Sequence, residues 1–128
     1  MKLLLDTHTL LWWQLNPSRL SNLARSEISN PGNDVFISVI TAWELQIKSQ
    51  LGKLDLPHNL PELIHRQRTI NGFHLITVQF EHVYELQTLP LHHKDPFDRL
   101  LMAQARKENF RFVSDDPEVK KYDVDILW

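Results

Sequence analysis

The chain contains no cysteine and only three glycines among its 128 residues. The absence of cysteine excludes disulfide bonds, thiolate metal sites and a cysteine nucleophile. The isolated Gly32, Gly52 and Gly72 provide no glycine-rich loop that could hold a nucleotide phosphate. Long apolar runs are also missing, so we predict no membrane-spanning segment, and Leu3–Leu5 is too short an apolar run for a signal peptide. These absences favour a cytoplasmic protein.

The size and charge of the chain predict one ordinary folded domain, covering residues 1–128. Hydrophobic residues make up 42% of the sequence and charged residues 23%, which excludes a disordered chain. The net charge of −2 provides no general attraction for nucleic acid. Any binding of nucleic acid would therefore need a local basic patch or metal ions.

Apolar runs typical of buried strands alternate along the chain with amphipathic segments typical of helices. Strands are predicted at 2–5, 35–38, 74–76, 111–113 and 124–127. Helices are predicted at 10–15, 20–28, 41–51, 60–70 and 80–86, and from Asp95-Pro96 onward. In the helix at 41–51, Trp43, Ile47 and Leu51 recur at helical spacing, and Gly52 fits its C-terminal cap. This alternation predicts an α/β fold with a central, mainly parallel sheet covered on both faces.

Four acidic residues are predicted at the carboxyl edge of this sheet: Asp6, Glu44, Asp98 and Asp116. Each has an alternative explanation as a helix cap or as an acid near the positive end of a helix, including a capping box formed by Thr41 and Glu44. Capping does not explain why several crossings of the sheet bring an acid to one edge. A cluster of carboxylates without cysteine is typical of a Mg²⁺ or Mn²⁺ site, which would support phosphodiester hydrolysis.

Four segments, in order, carry a resemblance to a known family: KLLLDTHTLLWW, ISVITAWELQIKSQLGKL, LHHKDPFDRLLMAQA and FVSDDPEV. Together they resemble PIN-domain proteins, in particular the VapC-type toxins of bacterial toxin–antitoxin pairs. The resemblance implies a three-layer α/β/α fold and a Mg²⁺- or Mn²⁺-dependent endoribonuclease. It also implies a cognate antitoxin as partner and a homodimer.

The resemblance assigns catalysis and metal binding to Asp6, Glu44, Asp98 and Asp116. Ser114 stands where threonine is commoner in the family pattern, and a shift of one residue would replace Asp116 by Asp115. Thr7 and Ser38 are candidates to donate hydrogen bonds to the carboxylates, with helix capping as the alternative for both. Asp95 is expected to cap a helix, with metal binding as its alternative. Ser114 and Asp115 are further candidates to support the site.

Basic residues are candidates for contacts with an RNA backbone, with a solvated helix face as the alternative for each. Lys48 and Arg99 are the strongest of these candidates; the others are Lys53, Arg66, Arg68 and Lys94. His92 and His93 lack the spacing of a zinc site. Trp12, Trp13 and Trp43 are predicted to pack in the core.

Two other functions remain as alternatives to the nuclease. A PIN-like module that binds RNA or a protein without cutting would be expected to lack one or more of the four acids, all of which are present. A receiver domain or phosphatase is disfavoured because no acid follows the strand at 74–76 and because Asp6 is followed by Thr7-His8.

Overall fold

A five-stranded parallel sheet lies at the centre of the computed structural model, which describes Met1–Trp128. Its strand order is β3-β2-β1-β4-β5, with β1 at Lys2–Leu5, β2 at Asp34–Ser38, β3 at His74–Ile76, β4 at Arg111–Val113 and β5 at Ile126–Leu127. The helices are α1 (Thr7–Leu15), α2 (Asn22–Ser29), α3 (Val39–Gln50), α4 (Leu60–Ile70), α5 (Phe80–Glu85) and α6 (Pro96–Glu108). In register, Leu4 of β1 pairs with Phe36 and Phe112.

Alternate residues of the strands pack into two separate cores, one on each face of the sheet. Leu3 and Leu5 pack with side chains of α1, α2 and α4, whereas Leu4 packs with side chains of α6, against which α5 lies. All three leucines are fully buried. The predicted three-layer α/β/α fold is confirmed.

Three helices begin at residues that differ from the prediction, because polar residues ahead of them act as caps. The Asp6 carboxylate caps α1, which begins at Thr7. The Ser38 hydroxyl accepts a hydrogen bond from the backbone N–H of Ile40 and so caps α3. This helix begins at Val39, two residues before the predicted start. The predicted capping box of Thr41 and Glu44 is therefore wrong, since both residues lie inside α3. The second helix begins at Asn22, capped by Ser21.

The inward face of α3 also differs from the prediction. Trp43 and Leu51 are 58% and 63% exposed, so the prediction that Trp43 packs in the core is wrong. The buried residues of α3 are instead Ile40, Thr41, Glu44 and Leu45, so polar side chains share the inward face with apolar ones. An apolar period cannot reveal an inward face of this kind.

The end of α3 and the start of α6 agree with their predictions. Gly52 has φ of +70°, the left-handed geometry that follows the last turn of α3. The Asp95 carboxylate accepts hydrogen bonds from the backbone N–H groups of Phe97 and Asp98, and Pro96 is the first residue of α6. None of the helices combines the length and the apolar character needed to span a bilayer.

Candidate active site

The four predicted acids come from four different parts of the fold. Asp6 follows β1 directly and Asp116 lies three residues beyond β4, while Glu44 lies on the second turn of α3 and Asp98 on the first turn of α6. Since neighbouring parallel strands end at the same edge of the sheet, β1 and β4 bring Asp6 and Asp116 to one place.

The Asp6 carboxylate is buried and held by three hydrogen bonds. Oδ1 accepts from the backbone N–H of His8 at 2.7 Å and of Thr9 at 3.3 Å, and Oδ2 accepts from Oγ of Ser114 at 2.6 Å. Burial raises the pKa of Asp6, although these hydrogen bonds and the nearby His8 oppose the rise. Ser114 also accepts from the backbone N–H of Asp116 at 3.2 Å, so one hydroxyl links the ends of β1 and β4.

The Glu44 side chain is buried and only half satisfied. Its Oε2 pairs with the Lys48 ammonium one turn later on α3, whereas its Oε1 is buried without any hydrogen-bond partner. A buried carboxylate oxygen normally has a partner, because losing hydration without replacement is unfavourable. This free oxygen therefore marks a place where a cation would fit.

Asp98 and Asp116 form a close group with His93, a residue that the sequence analysis did not assign to the site. One ligand atom from each of the three residues lies within 4.8 Å of the others. Nε2 of His93 is 2.7 Å from Oδ2 of Asp98 and 3.7 Å from Oδ2 of Asp116. Asp6 and Glu44 lie outside this group, but their charges act on Asp98.

Asp98 and His93 both have a raised pKa. Burial is the main cause for Asp98, and the charges of Asp95, Asp6 and Glu44 add to it, so that its pKa rises to about 6 despite the hydrogen bond from His93. For His93, burial alone would lower the pKa, but the hydrogen bond to Asp98 and the nearby carboxylates outweigh it and raise the pKa.

A hydrogen-bonded support positions His93. The Tyr122 hydroxyl accepts from the backbone N–H of His93 at 2.7 Å and from Nη1 of Arg99 at 3.1 Å. The same guanidinium donates to the backbone carbonyls of Leu86, Leu89 and Pro90. Sequence reasoning missed this arrangement because Tyr122 lies 29 residues after His93 and no local pattern links them.

Of the residues that were predicted to support the site, one forms a hydrogen bond with a site carboxylate and four have other partners. Ser114 donates to a site carboxylate, whereas the Thr7 hydroxyl bonds to that of Thr41 and the Ser38 hydroxyl caps α3. Asp95 caps α6. Asp115 turns outward, where its carboxylate accepts from the Lys120 ammonium.

The two leading candidates for RNA contacts have other partners. Lys48 binds Glu44. The Arg99 guanidinium holds the loop before α6 through three hydrogen bonds to backbone carbonyls and donates a fourth to the Tyr122 hydroxyl, and its contact with RNA stays a prediction. Its neighbour Asp98 is not among these partners.

The donor atoms of the four acids suit a hard divalent cation. Carboxylate oxygens are the preferred ligands of Mg²⁺ and Mn²⁺. The partnerless Oε1 of Glu44 is buried, and Oδ1 of Asp98 forms no hydrogen bond. The residues present therefore fit such an ion, with His93 as a further neighbour.

The whole fold is similar to solved structures with low sequence identity. VapBC2 from Rickettsia felis, bound to a DNA fragment from its promoter, matches with a TM-score of 0.73 and 18% identity, covering 100% of this chain and 98% of the other. VapBC-1 from nontypeable Haemophilus influenzae matches with a TM-score of 0.63 and 16% identity, covering 94% and 91%. FitAcB from Neisseria gonorrhoeae matches with a TM-score of 0.63 and 17% identity, covering 98% and 96%.

Sequence comparison agrees with the structural one. Ribonuclease VapC22 of Mycobacterium tuberculosis is 26% identical over 120 residues, which span 93% of this chain and 90% of that protein. The model of the PIN domain matches residues 3–125. The chain therefore belongs to the PIN-domain family.

Proposed function

We propose that this chain is a metal-dependent endoribonuclease that acts as the toxin of a toxin–antitoxin pair. The observation that carries the proposal is the convergence of acids at one sheet edge, where Glu44 keeps a buried oxygen without a partner. Membership of the PIN-domain family and similarity to a protein named as a ribonuclease support the same activity. In this proposal residues 1–128 act as one domain, in the cytoplasm.

Asp6, Glu44, Asp98 and Asp116 are the proposed ligands of Mg²⁺ or Mn²⁺, and they are the proposed catalytic residues. A divalent ion held there would supply positive charge to a phosphodiester and would activate water for attack. The protein holds these carboxylates in position before a cation binds. Three hydrogen bonds fix the Asp6 carboxylate, so it offers a rigid anchor that needs no reorganisation when a ligand binds.

The other acids are prepared in different ways. Lys48 restrains Glu44 through Oε2 and leaves Oε1 free to bind a cation. His93 orients Asp98 through Oδ2 and lies beside Asp116. The raised pKa of Asp98, about 6, indicates that a cation would be bound best above that pH, where the carboxylate is ionised.

We also propose RNA as the substrate, a cognate antitoxin as the protein partner, and a homodimer as the assembly. The VapBC complexes among the similar solved structures support the antitoxin. Apolar surface is available for protein contacts, since Phe80 and Tyr84 on α5 are 76% and 65% exposed. Sedimentation velocity of the purified chain, alone and with a candidate antitoxin, tests both assemblies.

Cleavage of labelled RNA by the purified chain tests the activity. Reactions would contain Mg²⁺, Mn²⁺ or EDTA, and the wild type would be compared with Asp6→Asn and Asp98→Asn. Asp55→Asn is the matched control, because Asp55 is an exposed acid away from the site. We expect cutting that needs metal, falls at least about 100-fold in both site variants and is unchanged in the control.

Two results would contradict this proposal. Binding of RNA without cutting by any form would favour the alternative, a PIN-like binding module. Cutting that persists in EDTA and in both site variants would mean that the acids are not the active site.

A further inference from the structure

Arg19 carries a positive charge that no carboxylate of the protein neutralises. It ends the 3-10 turn Pro17–Arg19, which follows α1. Its guanidinium carbon lies 4.5 Å from the centroid of the Trp12 ring. The guanidinium forms no ion pair with any carboxylate and no hydrogen bond with any protein group, although the site acids lie near this turn.

Arg19 lines the same cleft as two of the site acids, Asp6 and Asp116. This cleft has a volume of about 440 Å³ and is open to solvent. The residues that line it are Asp6, His8, Trp12, Arg19, Asp115, Asp116 and Pro117. A molecule that reached Asp6 and Asp116 through this cleft would therefore pass the guanidinium.

The contact with Trp12 restrains the guanidinium without using its N–H groups. A guanidinium that lies over an indole gains a cation–π attraction. The indole is itself supported by Trp128, whose ring centroid is 5.8 Å away in an edge-to-face arrangement. The planar N–H groups of the arginine remain available for a ligand with several oxygen atoms.

A phosphate is the ligand that this combination fits best. The acids repel an RNA backbone, so a strand lying beside them needs cations on the opposite side. Arginine binds phosphate oxygens with two parallel N–H groups, which gives both charge and orientation. An extended chain of phosphates could contact the acids and Arg19 at the same time.

We infer that Arg19, held over Trp12, binds a backbone phosphate of single-stranded RNA next to the phosphodiester at the acids. This inference rests on the proposed function and adds a substrate-binding residue to it. None of the basic residues selected from the sequence lies in this cleft.

Binding of a fluorescent single-stranded RNA oligonucleotide tests the inference. Anisotropy would be measured with Mg²⁺ at several salt concentrations, in a Glu44→Gln parent that is expected not to cut. Adding Arg19→Gln should raise Kd about 5- to 20-fold and make the slope of log affinity against log salt shallower by about 0.7, the value for one phosphate contact on a single strand. Arg25→Gln is the matched control, because Arg25 is exposed and contacts only Asn22; its Kd should change less than about 2-fold.

A second variant covers a failure of Arg19→Gln to fold, which circular dichroism would reveal. Arg19→Lys keeps the charge but loses the planar pair of N–H groups. In the cleaving protein it should raise KM about 3-fold or more and leave kcat within about 2-fold, because it weakens a contact to a phosphate that does not itself react. An unchanged KM in the folded lysine variant would overturn the inference.

The remaining outcomes separate the two proposals. If the parent binds RNA and Arg19→Gln binds it with the same Kd and salt slope, the inference is wrong and the nuclease proposal stands. If Arg19→Gln keeps RNA binding but loses binding to the protein partner, the cleft serves that partner and the inference is also wrong. If the wild type neither binds nor cuts RNA, both proposals fail.

Discussion

Nε2 of His93 lies 2.7 Å from Oδ2 of Asp98, so one imidazole partly compensates the charge of the acidic cluster. The loop that carries His93 is fixed by Tyr122 and Arg99. Burial and the surrounding acids raise the pKa of Asp98, whereas the hydrogen bond from His93 lowers it. The imidazole therefore stabilises an arrangement that repulsion between carboxylates would otherwise oppose.

Replacing His93 should destabilise the metal-free protein more than the metal-bound protein. In EDTA at pH 6, His93→Ala should lower the free energy of unfolding by about 1–3 kcal/mol, because a partly buried carboxylate loses its hydrogen-bond partner. Saturating Mg²⁺ should shrink this difference, since a cation replaces the lost positive charge. Urea unfolding measures both values. His65→Ala is the control, with an expected change within about 0.5 kcal/mol, because His65 is exposed on α4. An equal loss with and without Mg²⁺ would contradict the prediction.

Stability of the metal-free protein should fall as the pH rises. The folded pKa of Asp98 is about 6, above its ordinary value of 3.8, so the native state holds this proton more tightly than the unfolded state does. Its contribution is therefore present at low pH and is lost between about pH 4 and 6. The raised pKa of His93 acts in the same direction, because stability that is present below about pH 6.5 is lost as the imidazole deprotonates.

Asp98→Asn tests the contribution of Asp98 to this pH dependence of stability. At pH 7.5 in EDTA the variant should be more stable than the wild type, by up to about 3 kcal/mol, because the folded pKa of Asp98, about 6, lies above its ordinary value of 3.8. At pH 3 the difference should be small, because the wild-type carboxyl is then mostly neutral in both the folded and the unfolded state. Thermal unfolding in a pH series measures it. A variant that is less stable than the wild type at pH 7.5 would show that ionised Asp98 stabilises the fold.

The sequence predicted the layers of the fold and the edge at which the acids lie, because both depend on short-range patterns. Leu3–Leu5 has no polar residue that could face solvent, which predicts a strand buried on both faces. Asp95-Pro96 combines an N-cap residue with a proline at the first helical position, which predicts a helix start. The face of α3 was predicted wrongly, because Glu44 turns inward toward the site and Trp43 turns outward. Functional polar residues in the interior break the apolar period from which such a prediction is made.

Contacts between distant residues could not be predicted in this way. The pairing of Tyr122 with His93 joins two loops that are 29 residues apart. The position of Arg19 over Trp12 is closer in sequence but depends on how the chain turns after α1. Lys48 shows the same limit at short range: one turn after Glu44, it matches both a solvated ion pair and an RNA contact. Only the burial of Glu44 separates these interpretations.

Lys48 should prove to be a structural partner of Glu44. Lys48→Met should lower the free energy of unfolding in EDTA by about 1–3 kcal/mol, because it leaves a buried carboxylate without its cation; the partial exposure of Lys48 keeps the effect below that of a fully buried pair. Mg²⁺ should restore part of the loss. Lys53→Met serves as control, since Lys53 is exposed and has no ion pair, and its stability should change within about 0.5 kcal/mol. Unchanged stability of Lys48→Met, together with weaker RNA binding, would favour the original interpretation of Lys48 as an RNA contact.

Neighbouring aspartates after β4 should differ sharply in function. The Asp116 carboxylate faces His93 at 3.7 Å and lies in the acidic group, whereas the Asp115 side chain is 47% exposed and pairs with Lys120. Asp116→Asn should reduce metal-dependent RNA cleavage at least about 100-fold and should weaken Mn²⁺ binding, because it removes a ligand charge.

Asp115→Asn should leave cleavage within about 3-fold, because a surface ion pair contributes little. Cleavage rates and calorimetric Mn²⁺ titration of the two variants form a matched comparison, since each removes one negative charge from the same turn. A larger loss in Asp115→Asn than in Asp116→Asn would mean that the turn rearranges when metal or RNA binds, with Asp115 as the ligand.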